Sequence, residues 1–177
     1  MFTDWHEYFF MIGSSAAALI GLMFVVVTLT AGLDRRETER GKRLYTSPVV
    51  AHLGVVLLLS GAAIAPTMTP TWFGVASGGL ALIGLGVCIR NGVAIAKVRM
   101  SGEDNSSFDM WWYGFVPAAV YAVLALAAVV VLSGSVWGAS AIAAALMALL
   151  LVSIHAEWDL VTFLAPQAPG GSHGSES

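Results

Sequence analysis

Charge is what this sequence has least of. Of its 177 residues, 11% are Asp, Glu, Lys or Arg, against 58% hydrophobic. A water-soluble domain carries about 25% charged residues. The shortfall leaves too little polar surface to face water, and a mean hydropathy of +0.81 agrees. Most of the chain is therefore expected to face lipid or other apolar helices. Cysteine is nearly missing too. Cys88 stands alone inside an apolar run, which excludes an intrachain disulfide and a cysteine metal cluster. It reads as a small, reduced packing residue. A basic amino-terminal region is also lacking. The opening MFTDWHEYFF carries Asp4 and Glu7 but no Lys or Arg, unlike a secretory signal. The net charge of −3 points to no particular partner, and the cations occupy two loops, so no nucleic-acid partner is expected.

Chemical signatures are lacking as well. There is no G-x-S-x-G, no Walker loop, no H-E-x-x-H and no glycine fingerprint after a strand. No catalytic, cofactor or metal residues are assigned. Near the centre of each long apolar run, around Ile20, Leu58, Leu82, Val123 and Ala145, no ionisable side chain occurs. A charge at mid-bilayer costs at least about 2.5–3.5 kcal/mol and is kept for a purpose such as a proton relay. Its absence argues against a proton-coupled pump or a charged-filter channel.

What is present is a set of apolar runs arranged around one basic stretch, DRRETERGKR, Asp34 to Arg43. It holds five of the eight Lys/Arg. The positive-inside rule places it in the cytoplasm and so directs every other segment. The runs predict an all-α membrane bundle of five crossings in one domain, residues 1–164. The crossings are Phe9–Thr30, Ser47–Ala65, Trp72–Ala96, Trp112–Leu132 and Trp137–Ala156, each near the roughly 20 residues that span about 30 Å of hydrocarbon. The amino terminus is outside and the carboxyl terminus inside. Ser47 suits an N-cap, Pro48 a first helical position, and Pro66 a stop. The connection PTMTPT, Pro66 to Thr71, is short enough to make the second and third crossings antiparallel neighbours. Ser133, Gly134 and Ser135 mark a tight outer turn. Met100 to Met110 is a second cytoplasmic loop, and the tail 165–177 lacks an apolar pattern and is expected to be disordered.

Two checks support this map. The remaining cations, Arg90, Lys97 and Arg99, fall at the inner end of the third crossing. All six tryptophans fall at segment ends: Trp5, Trp72 and Trp137 outside, Trp111, Trp112 and Trp158 inside. Indoles prefer that boundary because the ring is apolar and its N–H stays wet.

Two groups of residues are candidates for function. Gly13, Ala17 and Gly21, four apart and widened by Ser14 and Ala18, form a small-residue face on the first helix. Such a face lets another helix approach closely. His52, Arg90, Asn91, His155 and Asp159 lie at one depth near the cytoplasmic side. If their helices adjoin, they form a polar cluster suited to proton or ligand sensing. The alternative is ordinary anchoring at the interface, with Arg90 snorkelling to headgroups.

The stretch D-W-H-E-Y-F-F-M-I-G-S-S-A-A-A-L-I-G-L-M-F-V, Asp4 to Val25, resembles the start of a group of small bacterial membrane proteins. H-A-E-W-D-L-V, His155 to Val161, is similar to their exit from the last crossing. Some of that group carry the label of modulator of the FtsH membrane protease. The resemblance implies a multi-pass protein of the bacterial inner membrane and brings no catalytic residues. The leading expectation is a small non-enzymatic membrane protein, without cofactor, that binds other membrane proteins or itself, and through them modulates a protease or other complex. The alternatives are a homo-oligomeric ion or proton channel gated by the polar cluster, and a membrane enzyme.

Overall fold

The computed structural model of the chain describes residues 3–29, 47–100 and 114–164, and they form an all-helical bundle. The basic stretch Asp34–Arg43, the loop 101–110, Trp111, Trp112 and the tail 165–177 lie outside the described residues. A 3-10 turn, Thr3–Trp5, leads into α1 (His6–Leu29). The bundle continues with α2 (Ser47–Ile64), α3 (Pro70–Met100), α4 (Val116–Leu132) and α5 (Gly138–Leu164).

Three stretches are long and apolar enough to cross a membrane: His6–Val26, Pro70–Val93 and Gly138–Asp159. The chain is a membrane protein on that ground. The apolar parts of α2 and α4, Pro48–Ile64 and Val116–Leu132, are shorter. At 1.5 Å per residue, 17 residues rise only about 26 Å. The outer surface is apolar like the core: Phe24, Leu58, Leu82, Ile83 and Leu126 are all more than half exposed. A helix that is hydrophobic all round suits a lipid surround, where neither face needs water.

The helix starts and stops follow local chemistry. Asp4 and Glu7 sit in the first turns at the start of α1, where carboxylates complement the helix dipole. Thr69 caps α3: its Oγ1 accepts the Trp72 backbone N–H at 3.3 Å. Pro117 occupies the first turn of α4, where no intrahelical N–H is lost. Gly134, with φ +73°, closes α4 in the left-handed region, and the backbone N–H groups of Ser133 and Gly134 return to Val129 and Val131. That is the glycine-terminated helix end expected of a tight turn.

The helices alternate in direction. Gly13 of α1 lies on Ser60 of α2. The Tyr8 hydroxyl donates to the Ala143 carbonyl of α5 at 3.4 Å. Gly74 of α3 lies under Leu132 at the end of α4. One end of the bundle therefore collects the starts of α1, α3 and α5 and the ends of α2 and α4. Trp5, Trp72 and Trp137 all stand at that end, and Trp72 and Trp137 are about 70% exposed (69% and 72%).

Packing follows the glycines more than the loops. The short connection was expected to make α2 and α3 neighbours. They touch, but the contact is slight. The most extensive interface is α3 with α4, followed by α1 with α2 and α4 with α5. On α3, Gly74, Gly78 and Gly84 meet Leu132, Ala128 and Tyr121 of α4 in antiparallel register. With no Cβ at these positions the two backbones come close, and close contact is what lipid-embedded helices have in place of hydrophobic driving force. α5 joins the α1–α2 pair to the α3–α4 pair by packing on α1, α2 and α4.

Candidate functional site

The most polar feature of the core is a pair that the sequence left apart. His52 of α2 and Tyr121 of α4 are hydrogen-bonded, Nδ1 to hydroxyl, at 2.8 Å. Their ring centroids are 5.3 Å apart and tilted by 55°. Both are buried, with 5% and 1% of their surface exposed. The backbones of α2 and α4 do not pack closely on each other, so the two long side chains bridge the gap between the α1–α2 pair and the α3–α4 pair. A buried polar group needs a partner, and each supplies the other's. The hydroxyl donates to Nδ1 in one histidine tautomer and accepts from Nδ1–H in the other.

Gly84 makes room for the tyrosine. A Cβ placed at Gly84 would fall among Cε1, Cζ and Cδ1 of the Tyr121 ring. The face of α3 at Gly84 is thus a slot for that ring, and the slot holds the hydroxyl against His52. Cys88 lies one turn further along α3 and is buried, as a packing residue would be. The signal for Tyr121 was visible: it is the one polar side chain in the run Ala118–Leu132.

The other members of the expected cluster are placed differently. His155 Nε2 faces Asp159 Oδ2 at 3.5 Å on α5, both partly exposed. Arg90 is exposed on α3 and Asn91 is half-buried beside it. Arg90 belongs to neither the His52–Tyr121 nor the His155–Asp159 pair. Among the described residues no three His, Cys, Asp or Glu side chains gather in a way that would hold a metal ion.

The expected small-residue face divides in two. Gly13 is buried, and a Cβ there would come 3.0 Å from Ser60 Cβ. α1 packs inward through Phe9, Ile12, Gly13, Ala16 and Met23. Ala17 and Gly21 turn outward, and no atom lies within 4 Å of where a Gly21 Cβ would be. Rows four residues apart drift around a helix of 3.6 residues per turn, so a strip that starts at the interface leaves it within two turns.

A contrast between neighbouring positions follows. The Ser60 hydroxyl is buried without a hydrogen-bond partner among the described residues, so it contributes packing and no bond. Ser60→Ala is expected to keep or raise the unfolding midpoint, because it removes an unsatisfied polar atom. Gly13→Leu is expected to lower stability by about 1–3 kcal/mol through overpacking. Unfolding in mixed micelles compares the two. A loss from Ser60→Ala as large as that from Gly13→Leu would show that the hydroxyl has a partner.

Comparison with family models, with curated proteins and with solved structures finds no match to this chain. The histidine–tyrosine pair is enclosed by apolar neighbours and works as a link between helix pairs, while the outward strip of α1 is open.

Proposed function

We propose that the chain crosses the bacterial inner membrane five times, amino terminus outside, and acts without catalysis by binding other membrane proteins through the outer face of α1. Through that contact it modulates their activity. A membrane protease complex of the kind named by the resemblance at Asp4–Val25 and His155–Val161 is the leading partner, and the chain itself is another. The cation pattern supports the orientation: Arg90 lies toward the end of α3 that shares the bundle's inner face with the exit of α1.

One observation carries the binding role. Ala17 and Gly21 are exposed on α1 with open space beyond Gly21. The bundle does not use this strip, yet small residues there let a second helix come close enough for backbone contact. Large apolar side chains at these positions would keep the helix membrane-soluble and hold a partner away. The paired variant Ala17→Leu, Gly21→Leu is expected to leave the unfolding midpoint within about 0.5 kcal/mol of the parent. In native membranes it is expected to lose most of its in-membrane crosslinks to partner and self. Full retention of those crosslinks by the folded variant would rule out this face.

A further inference from the structure

At the inner end of the bundle, a groove of ≈ 310 Å³ opens between the last turns of α1 and α5. Leu22, Met23, Val25 and Val26 form one wall and Ile154, Glu157 and Trp158 the other. The walls are apolar apart from Glu157. That residue is half-buried, and its Oε1 is shut off from water with no hydrogen-bond partner among the described residues. A carboxylate only accepts hydrogen bonds, and an unsatisfied buried oxygen is costly. Neither α1 nor α5 carries a Lys or Arg to supply the donor. The nearby His155 already faces Asp159.

The arrangement is that of an amphiphile's seat. Trp158 is 68% exposed at the rim, where an indole marks the headgroup level. The carboxylate sits at the same level, and the apolar slot runs from there toward the bundle's middle along Ile154 and Leu22. We propose that this groove binds a phospholipid with a primary-amine headgroup, its ammonium donating to Glu157 and an acyl chain lying in the slot. The lining favours that class: Glu157 is the one charged side chain among the groove's lining residues, and its carboxylate attracts a cationic headgroup and repels an anionic one. A trimethylated ammonium carries charge but no N–H, so it satisfies the groove only in part. The groove's lining includes neither Ala17 nor Gly21, the residues proposed to receive a partner helix.

The test uses the full chain in detergent, with added phosphatidylethanolamine, phosphatidylcholine or phosphatidylglycerol of identical acyl chains. Bound lipid is counted by native mass spectrometry. The parent is expected to retain phosphatidylethanolamine about tenfold better than either other lipid, as one charge-assisted hydrogen bond allows. Glu157→Gln keeps the shape of the side chain and is expected to abolish the preference. Asp159→Asn is expected to leave it in place. Equal retention of the three lipids by the parent would overturn the proposal, and so would a preference that survives Glu157→Gln. An oligomer that dissociates on Glu157→Gln without any lipid preference would assign the groove to a second copy of the chain instead.

Discussion

Gly84→Ala is expected to be among the most disruptive single-methyl additions in this protein. The added Cβ would fall inside the Tyr121 ring, nearest Cε1. Tyr121 is 1% exposed, so the ring has nowhere to move without displacing α4 or breaking its bond to His52. Overpacking of this kind costs about 1–3 kcal/mol and sometimes more, and here the loss of the hydrogen bond adds to it. Gly74→Ala supplies the control. Its Cβ would meet Leu132 at 2.8 Å, but Leu132 is 49% exposed and can swing outward. The two substitutions add the same atom to the same helix, so a difference between them reports the neighbour and not helix propensity. Denaturation in mixed micelles is expected to show a large loss for Gly84→Ala and a small one for Gly74→Ala. Combining Gly84→Ala with Tyr121→Ala is expected to lose less than the sum of the two, because the clash and the cavity relieve each other. Equal losses at Gly74 and Gly84 would mean that Tyr121 does not occupy the slot.

The helices were legible in the sequence because charge is so scarce that its few positions punctuate the chain. Pro48, Pro66 and Gly134 marked starts and stops that the structure places within a residue or two. The ends of the longer helices were less legible. α1 begins at His6, three residues before the apolar run, and α5 continues to Leu164 past Glu157 and Asp159. Hydropathy shows what lipid would cover. Backbone hydrogen bonding carries on past that limit wherever polar side chains suit a helix end, as Glu7 does at the start of α1. Neighbours were harder still. The short link between α2 and α3 predicted antiparallel neighbours, and the two helices do touch, but a link sets adjacency and not how much surface is shared. The glycines of α3 decided the matter by opening space for α4. The candidate site was half visible. His52 stood out as a polar side chain in an apolar run, but the sequence grouped it with Arg90, Asn91, His155 and Asp159 and left out Tyr121, the one polar side chain of Ala118–Leu132. Only packing distinguishes them, because the choice depends on which helix face points at which.

Removing either half of the histidine–tyrosine pair is expected to weaken the bundle, and removing both is expected to weaken it by less than the two losses added together. Tyr121→Phe keeps the ring in the Gly84 slot and strips only the hydroxyl, leaving His52 Nδ1 facing an apolar edge. His52→Leu leaves the buried hydroxyl in the same position. Each single change strands one polar group, whereas the double variant strands none. Interhelical hydrogen bonds in membranes contribute less than their burial suggests, about 0.6 to 1.7 kcal/mol, because the unfolded chain in lipid also finds partners. A coupling of about 1 kcal/mol is therefore expected from the double-mutant cycle, smaller than the steric loss at Gly84. The location gives the pair more reach than that figure implies. α2 and α4 do not pack backbone to backbone, so besides the slight α2–α3 contact this bond and the packing of α5 hold the two helix pairs together. Loss of the bond is expected to let the pairs move apart first. Thiol crosslinking between a cysteine on α2 and one on α3, placed across their slight contact, would then change in Tyr121→Phe, while crosslinking within the α3–α4 pair would stay constant. Additive losses in the cycle, with no change in crosslinking between the pairs, would reduce the hydrogen bond to a passenger of the packing around it.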